Sequence, residues 1–293
     1  MIKKMKKVSA ILTADWHLRE TVPVCRTDDF WTTQWEKVKF VADLQKKYNC
    51  AVIHAGDLFD HWKPSPYLLS ETFIHLPNKF YTVYGNHDLP QHNLELANKC
   101  GINVLVKANK INLLPNAHFG ETPDEFCKYT FDNNHSLLVW HVMTWKNELP
   151  YPGCELSNAK ALLKKYPQYD LIVTGDNHQT FVELYKGRIL VNSGSLMRTN
   201  TTQINHKPCV FLWYAETNTI EQVFIPISEN VISREHIEIQ EKRNERIDAF
   251  ISGLNTGFDS EISFQVNLEK FFANNKVRKN VKQLVYKFVE FNV

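Results

Sequence analysis

Residues 51–60 read AVIHAGDLFD, a short apolar run closed by Gly56 and followed by Asp57 and Asp60. An apolar run of this length bounded by turn residues predicts a buried β-strand. The same grammar recurs on both sides. Upstream, Val8 to Thr13 leads into Asp15 and His17. Downstream, Phe80 to Tyr84 leads into Gly85, Asn86, His87 and Asp88; Ser136 to Trp140 ends at His141; and Leu171 to Thr174 leads into Gly175, Asp176 and His178. Five successive strand ends that carry carboxylate, amide and imidazole groups describe one polar crevice at a sheet edge, where open α/β folds place their chemistry. The pattern points to a metal-dependent hydrolase. Gly56, Gly85 and Gly175 stand directly before Asp57, Asn86 and Asp176, where they are expected to let the backbone turn tightly off each strand.

Between these strand ends the spacing alternates. Phe30 to Lys47 has apolar residues at three- and four-residue steps and predicts an amphipathic helix; Pro66 to Leu76 predicts another, since proline suits a first helical turn. The resulting βαβαβ order implies a layered α/β architecture. From Asn103 the pattern shifts to short strands at Asn103 to Val106 and Ile111 to Leu114, with a helix at Leu156 to Lys165. Thr180 to Leu184 with Arg188 to Val191, and Cys209 to Tyr214 with Ile220 to Ile225, read as hairpins. A second sheet packed on the first, with helices outside, is the expected fold. The chain changes character near Pro226 to Asn230. We therefore divide it into a catalytic domain, 1–229, and a small cap-like α/β domain, 230–293, the alternative being extra helices of the main domain.

The 43% hydrophobic and 23% charged content is that of an ordinary globular protein, and the net charge of +2 neither requires nor excludes a nucleic-acid partner. Six scattered cysteines without a CxxC pair argue against a disulfide framework and favour a reducing, cytoplasmic compartment. The basic tip and short apolar run at the start resemble a signal peptide superficially. The run is too short and leads straight to Asp15, so it reads as the first core strand. No stretch approaches the roughly 20 apolar residues of a membrane span.

Each motif alone is weak evidence, because D-x-H occurs often by chance; their ordered combination is not. The series resembles the calcineurin-like metallophosphoesterase superfamily, whose signature runs D-x-H, G-D-x-x-D, G-N-H-D/E, a lone histidine and G-H-x-H. The resemblance covers roughly residues 8 to 195. It implies a four-layer αββα sandwich of two mixed β-sheets with a binuclear metal site at one edge. One ion would be held by Asp15, His17, Asp57 and His178, the other by Asp57, Asn86, His141 and Asp176, with Asp57 bridging. Asp176 departs from the pattern, which has histidine there. An oxygen ligand suits manganese or magnesium better than zinc or copper, so two divalent ions, Mn2+ first and Mg2+ second, are the expected cofactors. The resemblance makes His87 a general acid beside the leaving oxygen. Asp88 is read either as orienting His87 or as a loop cap, and Asp60 likewise as a partner behind the ligands or a cap.

The segments between motifs narrow the resemblance. GDLFDHWKPSP (56–66), GNHDLP (85–90), Arg26 with Asp29 and Phe30, and Val191 to Arg198 are similar to segments of SbcD-type exonucleases, nuclease subunits of the double-strand-break repair machinery. This implies a manganese-dependent DNA nuclease, exonucleolytic on duplex ends and endonucleolytic on single strands, in repair, recombination or replication. It further implies DNA as partner, an SMC-like ATPase subunit of the SbcC type, and a homodimer, for which Trp62, Pro64 to Leu69 and His92 to Leu96 are candidates. Arg198, Lys276, Arg278, Lys279 and Lys282 are candidate DNA contacts; a solvated helix face explains the last four equally well. Compact subunits of this kind occur in bacteriophages, which would place the protein in a host cytoplasm. The alternative function is a small-substrate phosphatase or nucleotide phosphodiesterase; a non-catalytic DNA-tethering subunit leaves the assembled ligand set unexplained.

Overall fold

The structure, a computed structural model, describes residues 7–123, 129–131, 135–147, 149, 157–255 and 264–290. In chain order the first half runs β1 (Ala10–Thr13), α1 (Phe30–Tyr48), β2 (Ala51–His54), α2 (Pro66–His75), β3 (Phe80–Thr82), α3 (Gly101–Lys107) and β4 (Ile111–Leu113). It continues with β5 (Tyr129–Phe131), β6 (His135–Trp140), β7 (Thr144–Trp145), β8 (Ser157–Asn158), α4 (Ala159–Lys165), β9 (Leu171–Thr174), β10 (Phe181–Tyr185) and β11 (Arg188–Asn192). β12 (Cys209–Tyr214), β13 (Thr219–Phe224), α5 (Glu235–Asn255), α6 (Phe264–Asn274) and α7 (Lys279–Glu290) complete it.

Two mixed sheets form, ordered β13-β12-β1-β2-β3-β4 and β10-β11-β9-β6-β5. β1 to β4 run parallel, as do β6, β9 and β11; β5, β10, β12 and β13 pair antiparallel with their neighbours. Central strands buried on both faces need continuous apolar sequence, and β1, β2 and β9 are buried at every position. The two faces serve different layers. Leu12, Ile53, Leu137, Val139, Val173 and Trp213 fill the space between the sheets. Ile11, Val52 and Phe80 face α1 to α3, and Leu138, Ile172 and Leu190 face Leu162 and Leu163 of α4. The result is the expected αββα layering.

Local chemistry sets the element ends. Asp29 caps α1 by accepting from Thr32, Asn49 closes that helix in the left-handed region, and Ser65 caps α2 ahead of Pro66. One expected strand is corrected: Asn103 to Val106 lies within α3. Ile102 and Leu105, three apart, are buried while Val104 between them is 53% exposed, which is a helical period. A four-residue apolar run fits either period, and packing on the first sheet decides it.

The chain divides into two compact units, residues 1–233 and 234–293. Among its described residues the second is helical, α5 to α7, in place of the mixed α/β composition expected. Among the described residues no helix is long and apolar enough to cross a membrane. Cys25, Cys50, Cys100 and Cys209 are buried free thiols; Cys127 and Cys154 lie outside the described residues.

Candidate metal centre

β1, β2 and β3 of one sheet and β6 and β9 of the other all end at one edge of the sandwich, so their following loops converge. Asp15, His17, Asp57 and Asp176 leave their strands in the left-handed backbone region, at φ 51°, 45°, 58° and 75°. Strained conformations at four non-glycine residues persist only where surrounding structure over-determines them, and they cluster at functional sites.

All seven predicted ligands meet. His17 Nε2 lies 3.0 Å from His178 Nε2 and 3.6 Å from Asp57 Oδ2. His141 Nε2 lies 2.9 Å from Asn86 Oδ1, 3.5 Å from Asp57 Oδ2 and 4.0 Å from Asp176 Oδ1. Asp57 therefore stands between two nests of donors, as a bridging ligand must. Asp15, His17 and His178 form one triad whose donor atoms fall within 4.8 Å of one another; Asp15, Asp57 and His141 form a second. Asp15 Oδ1 accepts from the Asp176 N–H at 3.0 Å, while Asp15 Oδ2 is buried without a hydrogen-bond partner. An orphaned carboxylate oxygen costs free energy unless a cation meets it.

The electrostatics agree. Burial raises Asp15 and Asp57, with His141 opposing. Burial and the neighbouring imidazoles push His17 well down and His178 down to about 4. Against its own burial, Asp57, Asp15 and Asp176 push His141 up to about 9. His17 and His178 are therefore neutral imidazoles fit to ligate, while His141 holds a proton for the crowded carboxylates, a positive charge that divalent cations would supply in its place. His141 Nδ1 donates to Ala55 O at 2.7 Å, which leaves Nε2 as the ligating nitrogen.

The three glycines have different reasons. Gly56 turns at φ +90°, as expected. Gly85 and Gly175 do not need a positive φ; they give room. A Cβ on Gly85 would overlap the Asp57 carboxylate, and one on Gly175 would lie 2.9 Å from His141 Nδ1.

His87 Nδ1 bonds Asp60 O at 2.8 Å and its N–H donates to Asp57 Oδ1 at 2.9 Å, with its ring centroid 4.7 Å from that of His17. Nε2 is thus the nitrogen available to a substrate. Of the two readings of Asp88, its hydrogen bonds match the loop cap. Its carboxylate accepts from the N–H groups of Asp57, Leu58, Phe59 and Gly85 at 2.8, 3.3, 3.1 and 3.0 Å, and burial and Asp57 push it up to about 7. Asp88 ties the Asp57 loop to the Asn86 loop. Asp60 faces His17 Nδ1 at 3.7 Å and is itself held by Arg19 Nη1 at 3.1 Å, a carboxylate placed behind a ligating imidazole.

Sequence reading missed Arg19 and the work of Asn192. Asn192 Nδ2 donates to the carbonyls of Asn177 and Gln179, at 2.5 and 2.6 Å, bracketing the turn that carries His178. Ser195 N–H donates to His178 O and Leu196 N–H to Asp15 O, so 192–196 ties two ligand loops together. The one signal was that Asn192 lies in the Val191 to Arg198 segment similar to the SbcD-type exonucleases. Arg198 is 5% exposed and donates to Ile204 O and Ser228 O, so it is a structural tie and not a surface contact for DNA. Lys282 donates to Phe272 O at 2.9 Å, at the end of α6; Lys276, Arg278 and Lys279 are exposed.

The sequence profile of the calcineurin-like phosphoesterase family matches residues 9–180. The chain belongs to that family. Its motif ligands are the residues that converge here, and the family supports a hydrolase that uses divalent metal ions. The chain is 29% identical over 220 residues to the DNA double-strand break repair protein Mre11 of Methanosarcina mazei, covering 65% of this chain and 34% of that protein. It is 27% identical over 204 residues to Mre11 of Methanosarcina acetivorans, covering 59% and 31%. The matches thus span about a third of those relatives' length. A solved archaeal phosphodiesterase superposes with a TM-score of 0.45 at 14% identity, over 74% of this chain and 99% of its own.

Proposed function

We propose that this calcineurin-like phosphoesterase is a manganese-dependent DNA nuclease acting in repair, recombination or replication, exonucleolytic on duplex ends and endonucleolytic on single strands. The observation that carries phosphodiester hydrolysis is the convergence of Asp15, His17, Asp57, Asn86, His141, Asp176 and His178 around a bridging carboxylate, with an unligated His87 beside them. The DNA substrate rests on the similarity to the two Mre11 proteins and on the SbcD-like segments between motifs.

Divalent ions held by Asp15, His17, Asp57 and His178 and by Asp57, Asn86, His141 and Asp176 would supply Lewis acidity and charge neutralisation to phosphodiester hydrolysis. The protein's own part is positional. Asp57 and Asp15 set the spacing of the two nests, Ala55 O fixes the tautomer of His141, and Asp60 holds His17. His87 donates its Nδ1–H to Asp60 O and, in its doubly protonated form, gives the Nε2 proton to the leaving oxygen as a general acid, ending as the neutral Nδ1–H tautomer. Asp176 in place of histidine makes one nest more anionic, which favours manganese or magnesium.

The second unit carries an apolar groove of about 650 Å3 between α5 and α7, floored by Ile239, Ile247 and Val281 and rimmed by Lys242, Arg243 and Arg246. A groove of this chemistry accepts an amphipathic helix with acidic flanks, and there we place the contact with an SbcC-type ATPase. For self-association, Tyr67, Phe73 and Ile74 of α2 are exposed while Leu68 is buried in the core, so the dimer surface is the outer face of α2; light scattering at micromolar concentration showing only monomer would remove it.

The deciding assay uses end-labelled duplex and single-stranded DNA beside cyclic and linear nucleotides, with manganese or EDTA. A DNA enzyme loses affinity steeply as salt rises, because bound phosphates release counterions. Flat salt dependence with fast cleavage of mononucleotide esters would select the small-substrate phosphodiesterase instead.

A further inference from the structure

β10 and β13 are the outermost strands of their two sheets on the same flank of the sandwich. Between them lies a groove of about 620 Å3, within the size range of small-ligand sites, roughly 300–1,000 Å3. The sandwich core shows through as its floor, at Phe211. Phe181 on β10 is half-buried, and Phe224 at the end of β13 is 55% exposed. Gln179, Asn205, Gln222 and Lys207 also line the groove and all four are exposed, with Gln222 Nε2 donating to Cys209 Sγ at 3.2 Å; the Phe181 ring packs toward the α4-side core, so Phe224 supplies the exposed ring.

The groove begins where the metal centre ends. Gln179 follows the ligand candidate His178 directly. His206, which also lines the groove, bonds Ser195 O at 2.8 Å, and Ser195 N–H bonds His178 O at 3.2 Å. Two hydrogen bonds, both through Ser195, therefore link His206 of the groove wall to the ligand loop.

We propose that this flank groove is a nucleotide subsite, holding the base of a nucleotide adjoining the scissile phosphate against Phe224, with Lys207 on its phosphate. The proposal rests on the nuclease reading and names a substrate determinant for it. The chemistry selects this occupant. Aromatic faces stack on any base and a cation tracks the backbone, which is how proteins hold single strands without reading sequence. Side-chain amides each offer a donor and an acceptor to base edges. A purely apolar ligand would leave Gln179, Asn205 and the lysine unused, and inorganic phosphate would leave the Phe224 ring unused.

The test compares a short single-stranded oligonucleotide with bis-p-nitrophenyl phosphate, an ester that carries neither a nucleobase nor a sugar, using the full chain with manganese. Phe224→Ala should raise KM for the oligonucleotide on the order of tenfold, the scale of one lost stacking contact. Cleavage of the ester reports the metal centre and should not follow, and Phe224→Trp should restore the low KM. Lys207→Ala should lower the slope of log KM against log salt by about 0.7, one backbone phosphate on a single strand. Equal oligonucleotide KM in wild type and Phe224→Ala, or a parallel loss on both substrates, overturns the subsite. If wild type cleaves the ester but no oligonucleotide, the nuclease reading fails separately. The subsite is then judged with deoxyadenosine monophosphate as inhibitor of ester cleavage: weaker inhibition of Phe224→Ala keeps it, and equal inhibition overturns it.

Discussion

Replacing Asp88 separates a loop tie from a catalytic group. Its Oδ2 accepts from Asp57, Leu58 and Gly85, and its Oδ1 from Phe59, all in a fully buried setting. Asp88→Asn can keep its oxygen at the Oδ2 position and hold three of these donors, leaving Phe59 N–H facing an amide donor. A buried donor left unsatisfied costs about 1–3 kcal/mol; loss of the repulsion with Asp57 offsets part of it, so a net of about 1–2 kcal/mol is expected. Asp88→Ala strips all four donors, about 4 kcal/mol at the lower end of that scale. For a unit of this size each kcal/mol moves Tm by roughly 2–4 °C, so Asn should lower Tm by roughly 5 °C and Ala by roughly 12 °C. Melts in EDTA remove the contribution of bound metal. Because Asp57 shifts with the loop, apparent manganese affinity should fall about 10–100-fold, while kcat at saturating manganese recovers to near wild type for Asn. An Asn variant that melts like wild type in EDTA yet loses a hundredfold in kcat at saturating metal would refute the tie and return Asp88 to the chemistry.

His87→Ala should bind manganese as wild type does by calorimetry and lose about 10²–10⁴ in kcat; near-normal turnover at saturating substrate removes the general-acid role. EDTA should abolish hydrolysis, and manganese above Kd should raise Tm with the logarithm of its excess over Kd; a Tm indifferent to manganese contradicts a cation at the orphaned Asp15 oxygen. Gly85→Ala places a methyl group against the Asp57 carboxylate and should weaken manganese binding with little change in circular dichroism; unchanged affinity removes the close-approach argument. Lys37 is 3% exposed, and burial together with Arg198 and Arg26 lowers it to about 7. The unfolded chain then holds the proton more strongly between about pH 7 and pH 10.5, so stability should rise with pH across that window. Lys37→Met should be more stable at pH 7 and show a flatter rise; an unchanged slope assigns it elsewhere.

The ligand identities were legible in the chain because metal chemistry restricts which side chains can serve and because parallel strands must end at one edge. Apolar runs of four to six residues closed by Asp, His or Asn mark those strand ends without reference to any contact. Hence β1, β2, β3, β6 and β9, the layered architecture and the polar strand ends follow from local pattern, while the choice of seven candidate ligands among those residues came from the family resemblance. What sequence could not decide depends on which groups meet across distance. Asp88 looked able to serve His87 or the backbone; only folding showed four N–H groups 29 to 31 and three residues away converging on it. Arg198 looked like a surface cation until Ile204 O and Ser228 O closed around it. The run at Asn103 fitted both periods until packing on the first sheet made it helical. The flank groove joins residues from β10, β12 and β13 and from the loop at 205–207, and no short-range periodicity records such a meeting. Side-chain type and strand period are local properties of the chain; burial, hydrogen-bond partners and the neighbours of a charge are set by tertiary packing.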